Sequence, residues 1–349
     1  MPLRPLQLVQ AILALCLVLS LLRYTTPTQP SSPPSSPPLN AAHQHPHKQP
    51  HPDPNTNQPV PSTAAAATDL LIPPTIHHLL LSMPNHPVSA FRPSQHTISW
   101  QQSGWKIEYW TEAACAQLAH ATDPSGRYAA ALAAFPSAVL KSDFCRYLIL
   151  YARGGVYNDL DVRLMQPLPW GVMFGAPPYV PGDYPGDAPE RLLCGPPAAI
   201  IGLEGDASTR GLPRSPQFVQ WTMVAAPGHP IFGAVLGKIV DRTEEYLQRL
   251  GEADGGNDGV EPLDVMQWTG PSVWTDAVLE YFEADEGMLQ TLRDLQETVR
   301  IKDVVVLPKR GFAITQGEDH RSSEVLVKHY FSGTWKTGCR AVWRWIGRC

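Results

Sequence analysis

Between residues 25 and 68 the chain reads TTPTQPSSPPSSPPLNAAHQHPHKQPHPDPNTNQPVPSTAAAAT, with almost no large apolar side chain. Such a stretch buries too little surface to offset its ordering entropy. Its prolines favour an extended, semi-rigid spacer, and its Ser/Thr/Pro mixture is that of an O-glycosylated stalk. A packed fold must therefore lie outside it. His43, His45, His47 and His51 sit among prolines with no frame to set a geometry, so they read as linker rather than as metal ligands.

Ahead of the spacer, residues 6–22 are apolar apart from Gln7, Gln10 and Ser20, with Arg4 before them and Arg23 after. That length is at the low end of what spans a bilayer. The following SLLRYTTPT is a poor cleavage site, which disfavours a removed signal peptide. The expected layout is a cytoplasmic tail over 1–5, a transmembrane signal anchor over 6–24, a Pro/Ser/His-rich stem over 25–69 and one folded domain over 70–349. So short a span suits a thin early-secretory membrane.

Of 349 residues, 43% are apolar and 17% charged, which supports a sizeable core beyond the stem. The net charge of −5 argues against nucleic acid as a partner. Six cysteines form no C-x-x-C pair, so zinc ribbons and thioredoxin-like chemistry fall away. In an oxidising compartment disulfides are permitted; a pairing of Cys339 with Cys349 would pin the C-terminal tail and leave an odd cysteine. No N-x-[ST] acceptor occurs, so no N-glycan is expected on the chain itself.

LLIPPTIHHLLLS carries a first buried strand, and the alternation of Trp105, Ile107 and Tyr109 with Lys106 and Glu108 predicts a second. Alanine-rich stretches at about 111–120 and 126–134 predict helices. Ser142 is the expected N-cap of a helix that opens with Asp143 and ends at Gly154. A buried strand follows over 198–203, then a helix in HPIFGAVLGKIVDRTEEYLQRL, a helix opened by Pro271, and a late strand in VVVLPKRGF. Strands alternating with helices predict an α/β domain with a largely parallel sheet.

Chemistry concentrates in KSDFCRYLILYARGGVYNDLDVRL. In an extended segment Asp159 and Asp161 point the same way while Leu160 points to the core. Two carboxylates at a strand end suit a hard divalent cation, although exposed acid pairs are common without one. On the preceding helix Asp143, Arg146, Tyr147 and Leu150 share a face. Asp143 and Arg146 there either face a ligand pocket or form an ordinary surface ion pair. Gly154 and Gly155 allow a sharp turn and a close backbone approach. A two-carboxylate hydrolase is disfavoured, because its acids stand about 5 Å or more apart across a sugar.

The ordered set Ser142-Asp143-x-x-Arg146-Tyr147 and Gly154-Gly155-x-Tyr157-x-Asp159-x-Asp161 resembles the DXD sugar-binding segment of glycosyltransferase family 32, in particular the fungal initiation-specific α-1,6-mannosyltransferases. IPPTIHH, IIGLEGD, QWTMVAAPGHPIF, TGPSVWTDAV and VKHYFSGTWKTG resemble further blocks of that family in the same order, with Pro74 and His78 in place of its usual Lys and Gln. The resemblance implies a single GT-A-type nucleotide-sugar transferase domain and a type II Golgi membrane protein with its catalytic domain in the lumen. It also implies GDP-mannose as donor, Mn²⁺ (or Mg²⁺) as cofactor, and retaining transfer of mannose in α-1,6 linkage to an N-glycan core. On this reading Asp159, Asp161 and His329 hold the metal. Asp143, Arg146, Tyr157, Asp159, Asp161 and Lys336 hold the donor, and Asp206 and Glu204 stand on the acceptor or catalytic face. His329 equally suits a structural role near Trp335, and Glu204 and Asp206 equally suit strand-end surface acids.

Two rivals remain. An inositol phosphoceramide mannosyltransferase shares the DXD block but is expected to carry further C-terminal spans, which AVWRWIGRC does not provide. A membrane-tethered, non-catalytic glycan- or cation-binding protein explains the anchor and the Asp-x-Asp, but not the glycine turn together with the Asp143/Arg146 helix. The proline-rich loop over 175–191 is where acceptor choice is expected to reside.

Overall fold

The β-branched and apolar run TIHHLL forms β1 (Thr75–Leu80), whose four central residues are buried. It pairs in parallel with β2 (Lys106–Thr111), Ile76 opposite Ile107, and with β3 (Gly155–Asn158), Ile76 opposite Val156. A computed structural model describes residues 71–82, 87–170, 196–205, 209, 211–252, 263–315 and 317–331. The chain divides into units Met1–Val60 and Pro61–Cys349, and every described residue falls in the second. The expected tail, anchor and stem lie outside the described residues, as do Asp206, Lys336, Trp335, Cys339, Cys349 and the loop over 175–191. Among the described residues no helix is long and apolar enough to cross a membrane.

The remaining strands are β4 (Val162–Leu164), β5 (Ala199–Gly202), β6 (Thr222–Ala225), β7 (Val299–Ile301), β8 (Val304–Leu307), β9 (Ile314–Thr315) and β10 (Val327–His329). Among the described residues they form a seven-stranded sheet, β2-β1-β3-β6-β5-β8-β7, and a three-stranded one, β4-β10-β9. The main sheet is mixed, which corrects the expected largely parallel one. Pairs β1–β2, β1–β3 and β5–β8 are parallel, whereas β3–β6, β5–β6 and β7–β8 are antiparallel. β6 enters between β3 and β5 running against both. Only Lys302 and Asp303 separate β7 from β8, and so short a connection joins antiparallel strands alone.

Nine α-helices are described: α1 (Gln95–Gln101), α2 (Glu112–Thr122), α3 (Arg127–Ala134), α4 (Ala138–Arg153), α5 (Pro230–Glu252), α6 (Val265–Trp268), α7 (Pro271–Phe282), α8 (Glu286–Arg293) and α9 (Lys309–Phe312). The strands have two buried faces. Val304 and Val306 of β8 join the larger core with residues of α2 to α5 and α7, while Val305 joins a second core with Trp100, Val162, Phe312 and Val327. That alternation is the period of two expressed as packing. Pro271 opens α7 as its fixed φ allows. Ser142, by contrast, lies inside α4, whose N-cap is Ser137. α4 is enclosed on nearly all sides, and packing overrides the local start signal. A Cys115–Cys145 disulfide, Cα atoms 6.0 Å apart, joins α2 to α4.

Candidate functional site

Gly154 closes α4 with φ of 64°, its N–H bonded to the Leu150 carbonyl, and Gly155 follows with φ of 93°. These are left-handed conformations that favour glycine. The close approach is to protein rather than to a pocket. A Cβ on Gly155 would stand 2.5 Å from the Thr75 carbonyl oxygen, and one on Gly154 would stand 2.7 Å from Pro227. The glycine pair thus lets β3 lie against β1 directly after α4.

β3 ends at Asn158, and the two aspartates occupy a turn rather than a strand. The Val162 N–H bonds the Asp159 carbonyl at 3.1 Å, and β4 begins at Val162. Leu160 is accordingly half-buried and not a core residue, a further correction. The turn is anchored on both sides: the Asp159 N–H donates to the Trp221 carbonyl, and the Tyr330 N–H to that of Asp161. β10 runs antiparallel to β4 with His329 opposite Val162, so the register itself delivers His329 to the turn. His329 Nε2 lies 3.2 Å from Asp161 Oδ1. Ligand-type atoms of Asp159, Asp161 and His329 all fall within 4.8 Å of one another.

Beneath this cluster lies a buried charge network. Arg146 reaches Asp143 at 3.1 Å and Asp159 at 3.6 Å, its guanidinium 5.2 Å from the centroid of the Tyr157 ring. The Tyr157 hydroxyl donates to Asp159 Oδ1 at 2.6 Å. Asp143 accepts from the Thr269 hydroxyl at 2.9 Å, and the Tyr147 hydroxyl donates to Gln220 Oε1 at 2.6 Å. Burial pushes the Asp143 carboxyl up to about 7, against the pull of Arg146 and Thr269. Burial also opposes the charge of Arg146, but Asp159, Tyr157 and Asp143 outweigh it and keep the guanidinium protonated. Burial likewise drives the Tyr157 hydroxyl upward, so it stays a donor.

This arrangement departs from the reading of an ordinary surface ion pair. Asp143 and Arg146 form an ion pair, but a buried one. Asp143 and Tyr157, each 1% exposed, lie beneath the Asp159–Asp161 turn. Their contact with the exposed chemistry runs through Arg146 and Asp159. The sequence signal was the shared helix face; depth could not be read from it.

Glu204 follows β5, and one carboxylate oxygen accepts from the Gln217 amide. Burial pushes its carboxyl up to about 6, with Gln217 and His329 opposing. It lines a cleft of about 200 Å³ with Trp221, Lys309, Thr315 and Phe331. Trp221, His96 and Phe331 of this neighbourhood carry no signal in the sequence. Trp221 packs on His329 with ring centroids 4.6 Å apart and planes tilted by 37°, and it donates from its indole to the Phe312 carbonyl. His96 of α1 packs on Tyr330 at 4.1 Å, where Asp161 partly offsets the lowering of its pKa by burial. A lone aromatic or histidine carries no spacing signal.

The donor set suits a divalent cation: two carboxylates and an imidazole, with His329 Nδ1 buried and without a hydrogen-bond partner. Residues 90–176, which contain this turn and the buried pair beneath it, match the model of the family described as glycosyltransferase sugar-binding region containing DXD motif. The resemblance drawn from the motifs is thereby borne out.

The chain is 32% identical over 223 residues to an initiation-specific alpha-1,6-mannosyltransferase of Schizosaccharomyces pombe, covering 59% of this chain and 49% of that protein. It is 30% identical over 230 residues to the protein of the same name from Candida albicans, covering 58% and 55%. The chain thus spans about half the length of the curated relatives it matches, and by name those relatives are enzymes. Among solved structures the PaToxG glycosyltransferase aligns at TM-score 0.38 and 17% identity over 62% of this chain and 73% of that one, too slight a likeness to carry any conclusion.

Proposed function

We propose that this chain is a glycosyltransferase of GT-A type that transfers mannose from GDP-mannose, with retention, in α-1,6 linkage to an N-glycan core. It works in the Golgi lumen behind its N-terminal anchor. The observation that carries the reading is the meeting of Asp159 and Asp161 on one turn with His329 of β10, beside a cleft. Asp159, Asp161 and His329 would hold Mn²⁺, with Mg²⁺ as the harder alternative. A bound ion of this kind neutralises charge on a leaving diphosphate.

The chain's own residues prepare that position. Arg146 and Tyr157 fix Asp159, while His329 faces Asp161. Asp143 keeps Arg146 in place from below. Glu204 serves the acceptor face, and by resemblance Asp206 joins it and Lys336 reaches the diphosphate. The names of the relatives support mannose and the α-1,6 linkage. The pairing of Cys115 with Cys145 is compatible with an oxidising compartment, where disulfides persist.

The test uses the full chain in detergent and follows GDP release from GDP-mannose with Mn²⁺, with and without a high-mannose N-glycan. Glycan-dependent release with a new α-1,6-mannose is the expected result. Asp159→Asn and Asp161→Asn should each lower it at least about a hundredfold, the scale of removing one electrostatic stabiliser, with an unchanged circular dichroism spectrum. Release from UDP-sugars alone would overturn the mannose assignment, and no release from any nucleotide sugar would overturn the transferase reading.

A further inference from the structure

The cleft beside Glu204 shares a wall with the cation cluster. Trp221 and Phe331 both line it, and both rings pack on His329, with centroids at 4.6 and 3.8 Å. The two rings meet edge to face at 5.4 Å. Phe331 is 52% exposed, which is unusual for a large apolar side chain in so closely packed a setting. Its backbone is left-handed at φ of 46°. An aromatic residue held there costs on the order of 1–3 kcal/mol, and such strain gathers at ligand sites.

The opposite wall is polar. Glu204 comes from the end of β5 and Lys309 from the residues just after β8, where open α/β sheets place their ligands. Glu318 engages both Lys309, at 3.3 Å, and Thr315, which donates from its N–H and its hydroxyl. Aromatic faces on one side and a carboxylate, an ammonium and a hydroxyl on the other match a pyranose, which shows a C–H face and a hydroxyl rim. A cleft of about 200 Å³ falls below the roughly 300 Å³ lower bound of pockets for drug-sized ligands. It has room for one sugar unit.

We propose that this cleft is the acceptor subsite, in which the terminal hexose of an acceptor oligosaccharide lies against Phe331 and Trp221 and hydrogen-bonds to Glu204 and Lys309. The assignment rests on the glycosyltransferase reading and goes beyond it in naming the acceptor platform. The ring of Phe331 positions the acceptor next to the donor bound at the Asp159–Asp161 turn.

The experiment compares the full chain with Phe331→Ala and Phe331→Tyr. KM for a mannose oligosaccharide, KM for the nucleotide sugar and acceptor-free GDP release are each measured, and oligosaccharide binding is followed separately by saturation-transfer NMR without donor. Loss of one buried aromatic face should raise the acceptor KM about tenfold. Because Phe331 also packs on His329, donor KM and acceptor-free release serve as the comparison: both should change by clearly less than the acceptor KM, and Phe331→Tyr should restore the acceptor KM. A matching rise in donor KM, or an unchanged acceptor KM, would overturn the assignment. The NMR separates the two readings: Phe331-dependent oligosaccharide binding without transfer would remove the transferase reading and leave the sugar subsite standing, whereas transfer without that dependence would do the reverse.

Discussion

Arg146 does two jobs with one side chain, answering the buried charge of Asp143 and orienting Asp159 at the surface of the site. The two jobs predict different mutant behaviour. Arg146→Ala leaves Asp143 buried without its counter-ion, so that it must stay ionised unpaired or take up a proton, a change that costs about 3–5 kcal/mol where a buried pair is broken from one side. Adding Asp143→Asn removes that acid, and urea midpoints should recover a large part of the loss. Activity should not recover with them, because Asp159 still lacks its partner. Equal midpoints for the single and double variants would refute the buried-pair account. On the same scale, Glu204 and His329 were singled out from sequence, whereas Trp221, His96 and Phe331 were not, since single aromatic or imidazole groups have no periodicity to betray them.

At the scale of elements, the α4–β3 junction is the tightest joint. Gly155 combines φ of 93° with a neighbouring strand backbone 2.5 Å from where a Cβ would sit. Gly155→Ala should therefore destabilise the domain by at least about 2 kcal/mol. Gly237, inside α5, has nothing within 4 Å of its virtual Cβ. Gly237→Ala should stabilise by about 0.5–1 kcal/mol through ordinary helix propensity. Thermal unfolding of the two variants against wild type checks both signs, and a tolerated Gly155→Ala would refute the joint. The helix face and the glycine turn were legible beforehand. That the close approach is to β1 and Pro227 was not, since strand neighbours are set by the whole sheet.

For the molecule as a whole, the buried histidines of β1 dictate an acid limit. Burial lowers His77 to about 4, opposed by its bond to the Gly154 carbonyl and by Glu108, with Lys106 and Arg153 nearby adding to the lowering. Burial also lowers His78 to about 4, opposed by the Asn158 carbonyl. Both are neutral in the fold, while the unfolded chain titrates near 6.5. Their contribution is complete above pH 6.5 and is lost as pH falls toward 4, because only the unfolded chain takes up the protons there. Each is worth on the order of 3 kcal/mol over that window. Urea unfolding at pH 7.5 and 4.5 should show this loss, and His78→Gln should show a smaller one. Identical pH slopes for the two proteins would rule the mechanism out.

What the sequence determined by itself was everything with a short range. The period of two in GWKIEYW, the helical spacing around Ile231 and Val235, the glycine turn and the Asp-x-Asp after it are all contained within a few residues. The barren composition of residues 25–68 confined the expected fold to the remainder of the chain. Tertiary structure decided what depends on residues far apart in the chain. The reversed β6 made the sheet mixed, the β4–β10 register brought His329 to Asp161, and the enclosure of α4 moved its start from Ser142 to Ser137. Packing of α2 against α4 paired Cys115 with Cys145, a match that no spacing rule announced. The physical reason is that periodicity records which face of an element is apolar, whereas neighbours, directions and depth are settled only when all those faces compete to be buried together.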